Sequence, residues 1–340
     1  MGNITIKQLA QHLNLSTAAV SKALCDSHEI SEATKQKVLA LARELNYVPN
    51  AYAGSLRRNK SKTIAVLIPE VADSFFSLAL NGIGEVTLEE GYHTLVYLTH
   101  EKLYREKIIL QELLGGRVDG AIMSVSVETN SFEHINALSK QLPLVFFDRV
   151  CPEIDTAKIT TNDFECGYLA AQHLVAAGCR RIALLSISNC LSIISERSKG
   201  FEKAIADFKL DKNYCRIVDC TEDAAQNYEI INELMNQPDP PDGIIATVEK
   251  MTAEVYRVCH DHGISIPNQL KVVAFSNQAS AAILSPSLTT ITQPAFEMGK
   301  AAASALLKSL KGGSCLLEDE SRIIPSSLII RASTATQPIK

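Results

Sequence analysis

Two short amphipathic segments joined by a tight turn near the N-terminus constrain this chain more than any other feature. Thr5 can cap a first helix, and Gln8, three residues on, completes a capping box. Ile6, Leu9, Ala10 and Leu13 recur at helical spacing and give that helix one apolar face. Asn14-Leu15-Ser16 forms the turn, and Ser16 suits the N-cap of a second helix from Thr17 to about Cys25. Val20 and Leu24 face inward there. Thr17, Ala18, Ser21 and Lys22 are left outward near the helix start. Ser31 can cap a third helix, whose Val38, Leu41, Ala42 and Leu45 close a miniature core. Two helices and a turn, the second presenting small and basic side chains, is the helix-turn-helix arrangement. Small residues suit a helix that presses into the major groove of duplex DNA.

Pro49 stops the third helix from continuing. Asn50 can cap a further helix of about two turns, from Ala51 through Ala53, Gly54 and Leu56 to Arg58. So short a helix is unstable alone in water, and Gly54 weakens it by roughly 1 kcal/mol relative to Ala. It is expected to order only when something holds it. Asn59 to Lys62 reads as a polar, basic linker.

The chain has 340 residues, so two or three domains are expected. Its formal charge of −5 hides a split. Residues 1–62 hold nine Lys/Arg against four Asp/Glu, a net +5, so the remainder carries −10. A basic head on an acidic body puts the polyanion-binding surface at the N-terminus. No apolar run approaches the ~18 residues of a membrane span. The N-terminus is polar and has no signal-peptide core, which points to the cytoplasm. Nine scattered cysteines without a CxxC pair read as reduced thiols. Cys259-His260-Asp261-His262 resembles a metal cluster only on paper, because side chains at i and i+2 of a helix point apart. No metal or cofactor is expected.

From Thr63 onward short apolar runs alternate with amphipathic stretches. Strands are expected at 63–68, 94–98, 120–124, 142–147, 158–161, 181–187, 216–218, 243–246, 271–275 and 288–291, with helices between most of them. Such alternation argues for parallel sheets covered by helices, and ten strands are better divided between two doubly wound lobes. No glycine fingerprint follows the first strand, and there is no G-x-S-x-G, Walker loop or HExxH. An enzyme therefore loses support to a binding protein.

The head resembles the N-terminal domain of the lactose/galactose-repressor (LacI/GalR) family. The matching residues are Ile6-Lys7-Gln8-Leu9-Ala10, Leu15-Ser16, Val20-Ser21-Lys22, Ser31, Thr34, Lys37-Val38 and Leu45-Asn46-Tyr47-Val48-Pro49-Asn50, with Ala53 and Leu56. The resemblance runs over nearly the whole chain. It implies a helix-turn-helix head (1–48), a hinge helix and linker (49–62), and an α/β core of two parallel-sheet lobes like a periplasmic sugar-binding protein (63–340). The N-lobe would take about 63–161 and 292–324, the C-lobe about 162–291 and 325–340. It further implies a homodimeric transcription regulator, usually a repressor, on a pseudo-palindromic operator. By resemblance Thr17, Ala18 and Lys22 read bases, and Ser16, Ser21, Ser31 and Tyr47 contact the backbone. Leu56 matches a wedge inserted into the minor groove, flanked by Asn50 and Ala53. Many family members have Arg where this chain has Lys22, and Lys lacks the bidentate fork for guanine.

Loops at strand C-termini line the ligand crevice of parallel α/β lobes. The candidates are Asp73, Phe75, Ser124, Asp148, Arg197, Glu249, Ser276 and Gln293. Carboxylates and Arg for hydroxyls, with an aromatic face for a ring, suit a sugar or sugar derivative. Two positions depart from the family: Ser276-Asn277 stands where an Asp is common, and Val248-Glu249 where Asn-Asp is common. The alternatives left open are a different sugar, a phosphorylated or acidic sugar, or another small molecule.

Overall fold

A computed structural model describes residues 4–47, 61–188, 190–312 and 317–335. The chain separates after Ser61 into two compact units. Expectations for the hinge helix, including Asn50, Ala53 and Leu56, fall outside the described residues.

In the first unit, α1 (Ile6–Leu13), α2 (Thr17–Leu24) and α3 (Glu32–Glu44) follow the caps read from the sequence. Thr5 and Gln8 form the capping box. Ser16 accepts from the Ala19 N–H and Ser31 from the Thr34 N–H. Asn14 ends α1 with a left-handed φ of 51°, a conformation Asn tolerates better than most side chains. Leu9, Ala10, Val20, Ala23, Val38 and Ala42 form the buried core. Leu24, expected inside, is only partly buried against it; Ala23 takes the inner position.

The second unit holds two six-stranded sheets. The first has the order β11-β5-β4-β3-β1-β2, with β1 Thr63–Ile68, β2 His93–Leu98, β3 Gly120–Met123, β4 Leu144–Phe147, β5 Lys158–Thr160 and β11 Arg322–Ile323. The second has the order β12-β10-β9-β8-β6-β7, with β6 Ile182–Ser186, β7 Arg216–Asp219, β8 Gly243–Ala246, β9 Lys271–Phe275, β10 Thr289–Thr292 and β12 Ser327–Ile329. Every pairing is parallel except β10 with β12. The inner strands are buried on both faces, which is why they read as unbroken apolar runs. β4 starts two residues later than the expected 142, since Pro143 has no N–H for the ladder.

Helices cover both sheets: α4 (Ser74–Glu89), α5 (Leu103–Leu113), α6 (Glu133–Ser139), α7 (Asp163–Ala176), α8 (Ser192–Asp207), α9 (Ala224–Met235), α10 (Met251–Asp261) and α11 (Ala295–Leu310). The chain passes between the sheets three times: from β5 to α7, from β10 to α11, and from β11 to β12. The first and last passages meet, where the Ser326 N–H donates to Asn162 Oδ1 at 2.8 Å. After the second, α11 packs into the core of the first sheet against α4. A Cβ on Gly299 would stand 2.0 Å from the Ala79 carbonyl oxygen, so the two helices touch backbone to backbone there. The polar tail is stitched down: Ser333 Oγ donates to the Val272 carbonyl at 2.6 Å and accepts from the Thr289 N–H at 2.8 Å.

Candidate functional site

On the head, Ser16, Thr17 and Ala18 are exposed at the start of α2, and Ser21 and Lys22 are partly exposed one turn on. The hydroxyls of Ser16 and Ser31 already serve as helix caps. Tyr47 packs against the head core, and burial pushes its phenol pKa up. The Lys22 ammonium donates to Glu29.

In the second unit the order of each sheet reverses beside its first strand, at β1/β3 and at β6/β8. Loops leaving the carboxyl ends of strands converge at such switch points. They line a cleft of about 340 Å³, counting open space at its mouth. Asp73, Phe75, Asp148, Arg197, Glu249, Ser276 and Gln293 all line it. Ser124 does not: it is fully buried outside the lining, and its hydroxyl has no partner among the described residues. Phe76 and Arg149 join the lining unanticipated, and Asn277, already noted beside Ser276 as a departure from the family, lines it too.

Two arginines are held by carboxylates behind the cleft wall. Arg197, 1% exposed, donates from Nε to Asp163 at 2.7 Å and from Nη1 to the Thr247 carbonyl at 2.5 Å. Its guanidinium lies 4.0 Å from the Phe275 ring centroid. Arg149 donates from Nη1 to both oxygens of Glu101, at 2.8 and 2.9 Å. Each keeps one buried nitrogen without a hydrogen-bond partner in the described structure, Nη2 of Arg197 and Nε of Arg149. A buried donor left unpaired is costly, so these two nitrogens call for acceptors in the cleft.

Glu249 crosses the cleft. Its carboxylate accepts from the Ser74 N–H (3.1 Å) and hydroxyl on the side of the first sheet. On the side of the second it accepts from the Ser276 hydroxyl and the Asn277 N–H, both at 3.0 Å. Gln293 crosses as well, donating to Asp148 Oδ1 at 3.2 Å. Asp148 sits at φ 59° just past β4, so the strand ends abruptly and turns its carboxylate toward the cleft lining. Burial pushes the Asp148 carboxyl up to about 6. Burial, reinforced by the negative charge of Glu249, does the same for Asp73.

Among the described residues no group of His, Cys, Asp and Glu is arranged to hold a metal. No described helix is long and apolar enough to cross a membrane.

Residues 5–50 match the family model for bacterial regulatory proteins of the lacI family, and residues 171–334 that for a periplasmic binding protein-like domain. The chain is 31% identical over 307 residues to the HTH-type transcriptional repressor PurR of Photobacterium profundum, covering 90% of this chain and 92% of that one. It is 29% identical to the ribose operon repressor of Haemophilus influenzae, with the same coverage. Among solved structures, a LacI family regulator from Enterococcus faecium with bound ribose aligns with a TM-score of 0.72 at 28% identity, over 81% of this chain and all of that one. The lac repressor dimer bound to operator aligns with a TM-score of 0.84 at 22% identity, over 98% and 99% of the two chains. A capped helix-turn-helix head, two switch-point sheets around one cleft, and a 31%-identical repressor covered nearly end to end lead to one conclusion: the chain belongs to the lacI family of bacterial regulatory proteins.

Proposed function

We propose that this chain is a homodimeric repressor that binds a pseudo-palindromic operator and responds to a small polar effector held in the cleft. The supporting observation is the start of α2, where a capped helix exposes Ser16, Thr17 and Ala18 with Ser21 and Lys22 behind them. Thr17, Ala18 and Lys22 read bases; Ser16, Ser21, Ser31 and Tyr47 hold phosphates; Asn50, Ala53 and Leu56 serve the hinge contact in the minor groove. Residues 1–48 form the head, 49–62 the hinge and linker, and 63–340 the effector-binding and dimerisation core. Asp73, Phe75, Asp148, Arg197, Glu249, Ser276 and Gln293 contact the effector. Ser124 drops out as a direct contact. The reading assigns the cleft binding and no reaction, and its DNA partner places the protein in the cytoplasm.

One head reads only a few base pairs, so useful affinity needs two heads on two half-sites. Duplexes selected by the full chain from a random pool should converge on an inverted repeat, and footprinting should protect both halves. A pool that shows no enrichment, or a single unpaired half-site, overturns the reading.

A further inference from the structure

We infer that the cleft is built for a cationic polyol, an aminated sugar or amino cyclitol, in preference to a neutral or phosphorylated sugar. The inference rests on the effector reading of this cleft and concerns the chemical class of what enters it.

The argument is a charge census. Among the described residues five ionisable side chains line the cleft: Asp73, Asp148 and Glu249 against Arg149 and Arg197. Both guanidinium groups are already ion-paired to carboxylates outside the lining, Glu101 and Asp163. Three lining carboxylates therefore face two cations whose charge is largely spent. Asp148 is 3.9 Å from Arg149 Nε and takes one hydrogen bond from Gln293. Glu249 is satisfied by four donors of the protein. Among the described residues Asp73 accepts only the Phe75 N–H, at 2.8 Å. Burial pushes both the Asp73 and the Asp148 carboxyl up, and Arg149 beside them only partly offsets it.

An anionic effector finds no seat here. The N-terminus of α4 opens on the cleft and is the natural place for a phosphate or carboxylate. Two of the protein's own carboxylates occupy it, Asp73 on the Phe75 N–H and Glu249 on the Ser74 N–H. This removes the phosphorylated or acidic sugar from the alternatives. Hydroxyl groups remain necessary, because Arg197 Nη2 and Arg149 Nε are buried donors without acceptors. The aromatic rings point the same way. Arg197 covers Phe275 and Arg149 lies 5.5 Å from the Phe76 centroid, whereas no protein cation covers Phe75 among the described residues. An ammonium beside Asp73 and Phe75 gains a carboxylate and a ring face at once.

Calorimetry on the full chain tests this with aminohexoses, aminopentoses and amino cyclitols, each beside its neutral and phosphorylated counterpart. At least one amine should bind tenfold or more tighter than its neutral partner. That preference should shrink to about twofold in Asp73→Asn and Asp73→Ser; both residues are strong helix caps and keep α4 intact. A neutral or phosphorylated sugar that binds as tightly as its amine overturns the proposal. So does a full panel in which no amine binds, or an amine preference that survives both substitutions. Operator selection by the ligand-free chain tests the regulator reading separately, so the ligand class can fail while that reading stands.

Discussion

The ammonium of Lys22 is paired with the carboxylate of Glu29 across the turn between α2 and α3. Lys22 is the proposed base-reading cation of the head, so it must leave Glu29 before it can reach a guanine edge. Both side chains are about half exposed, 43% and 52%, which makes the pair weak and exchangeable. Glu29→Gln is therefore expected to raise operator affinity by about two- to fivefold. In a Lys22→Gln background the same substitution should do almost nothing. Anisotropy titrations of the four chains decide it; an equal gain in both backgrounds would mean that Glu29 acts only by repelling phosphate.

Asp148 shows its environment through pH. It is buried with Arg149, Arg197, Asp163 and Gln293 around it, and its carboxyl is pushed up to about 6 from 3.8. The folded chain then holds the proton more tightly than the unfolded chain. The group's contribution to stability is complete below about pH 4 and is lost as pH rises through 6. Asp148→Asn mimics the protonated form, and Asn tolerates the φ of 59°. The variant's Tm should exceed the parent's by about 5 °C at pH 7.5. The gap should close toward pH 4. A gap that widens as pH falls contradicts the assignment.

Arg197 is as much a structural residue as a binding one. Removing it strands Asp163, which is 6% exposed and otherwise accepts from the Thr161 hydroxyl. Arg197→Ala should cost about 3–5 kcal/mol in urea denaturation. Adding Asp163→Asn should recover a good part of that loss. If the single variant loses less than about 1 kcal/mol, the ion pair is not what holds this wall of the cleft. Effector response is better probed at Asp73, whose side chain is less deeply tied in.

The edge strand β2 carries apolar residues on both faces: Leu95 and Val96 are 41% and 44% exposed. An apolar edge of this kind invites pairing or cover. If this edge joins the two copies of the proposed homodimer, Val96→Asp should shift sedimentation to the monomer. Operator affinity should then drop by about 100-fold, the loss of two-headed binding. Unchanged sedimentation would place the dimer contact elsewhere.

Much of this arrangement was legible in the residues. Thr5 with Gln8, Ser16 and Ser31 set three helix starts, because each cap is a local interaction within three residues. Inner strands such as Gly243–Ala246 stood out because burial on both faces demands unbroken apolar runs. β11 and β12 left no such trace: they are two and three residues long and largely exposed, and their pairing partners lie far away in sequence. α9 starts on a local cap of the same kind, Asp223 accepting from the Gln226 N–H. Arg149 escaped notice because its partner, Glu101, is 48 residues away. Ser124 was misplaced for a related reason. The end of a strand is visible in sequence, but which way its last side chain turns is settled by the packed neighbours.

The position of α11 bears on how the protein is made. The first sheet begins at Thr63, yet its core stays open until α11, ending at Leu310, has packed against α4, and its edge lacks β11 until Arg322–Ile323. The three helices of the head need only the first 45 or so residues. A nascent regulator therefore offers a foldable DNA-reading head long before its body can close. The order of synthesis leaves the first sheet to close only after strands β6 to β10 of the second have been made.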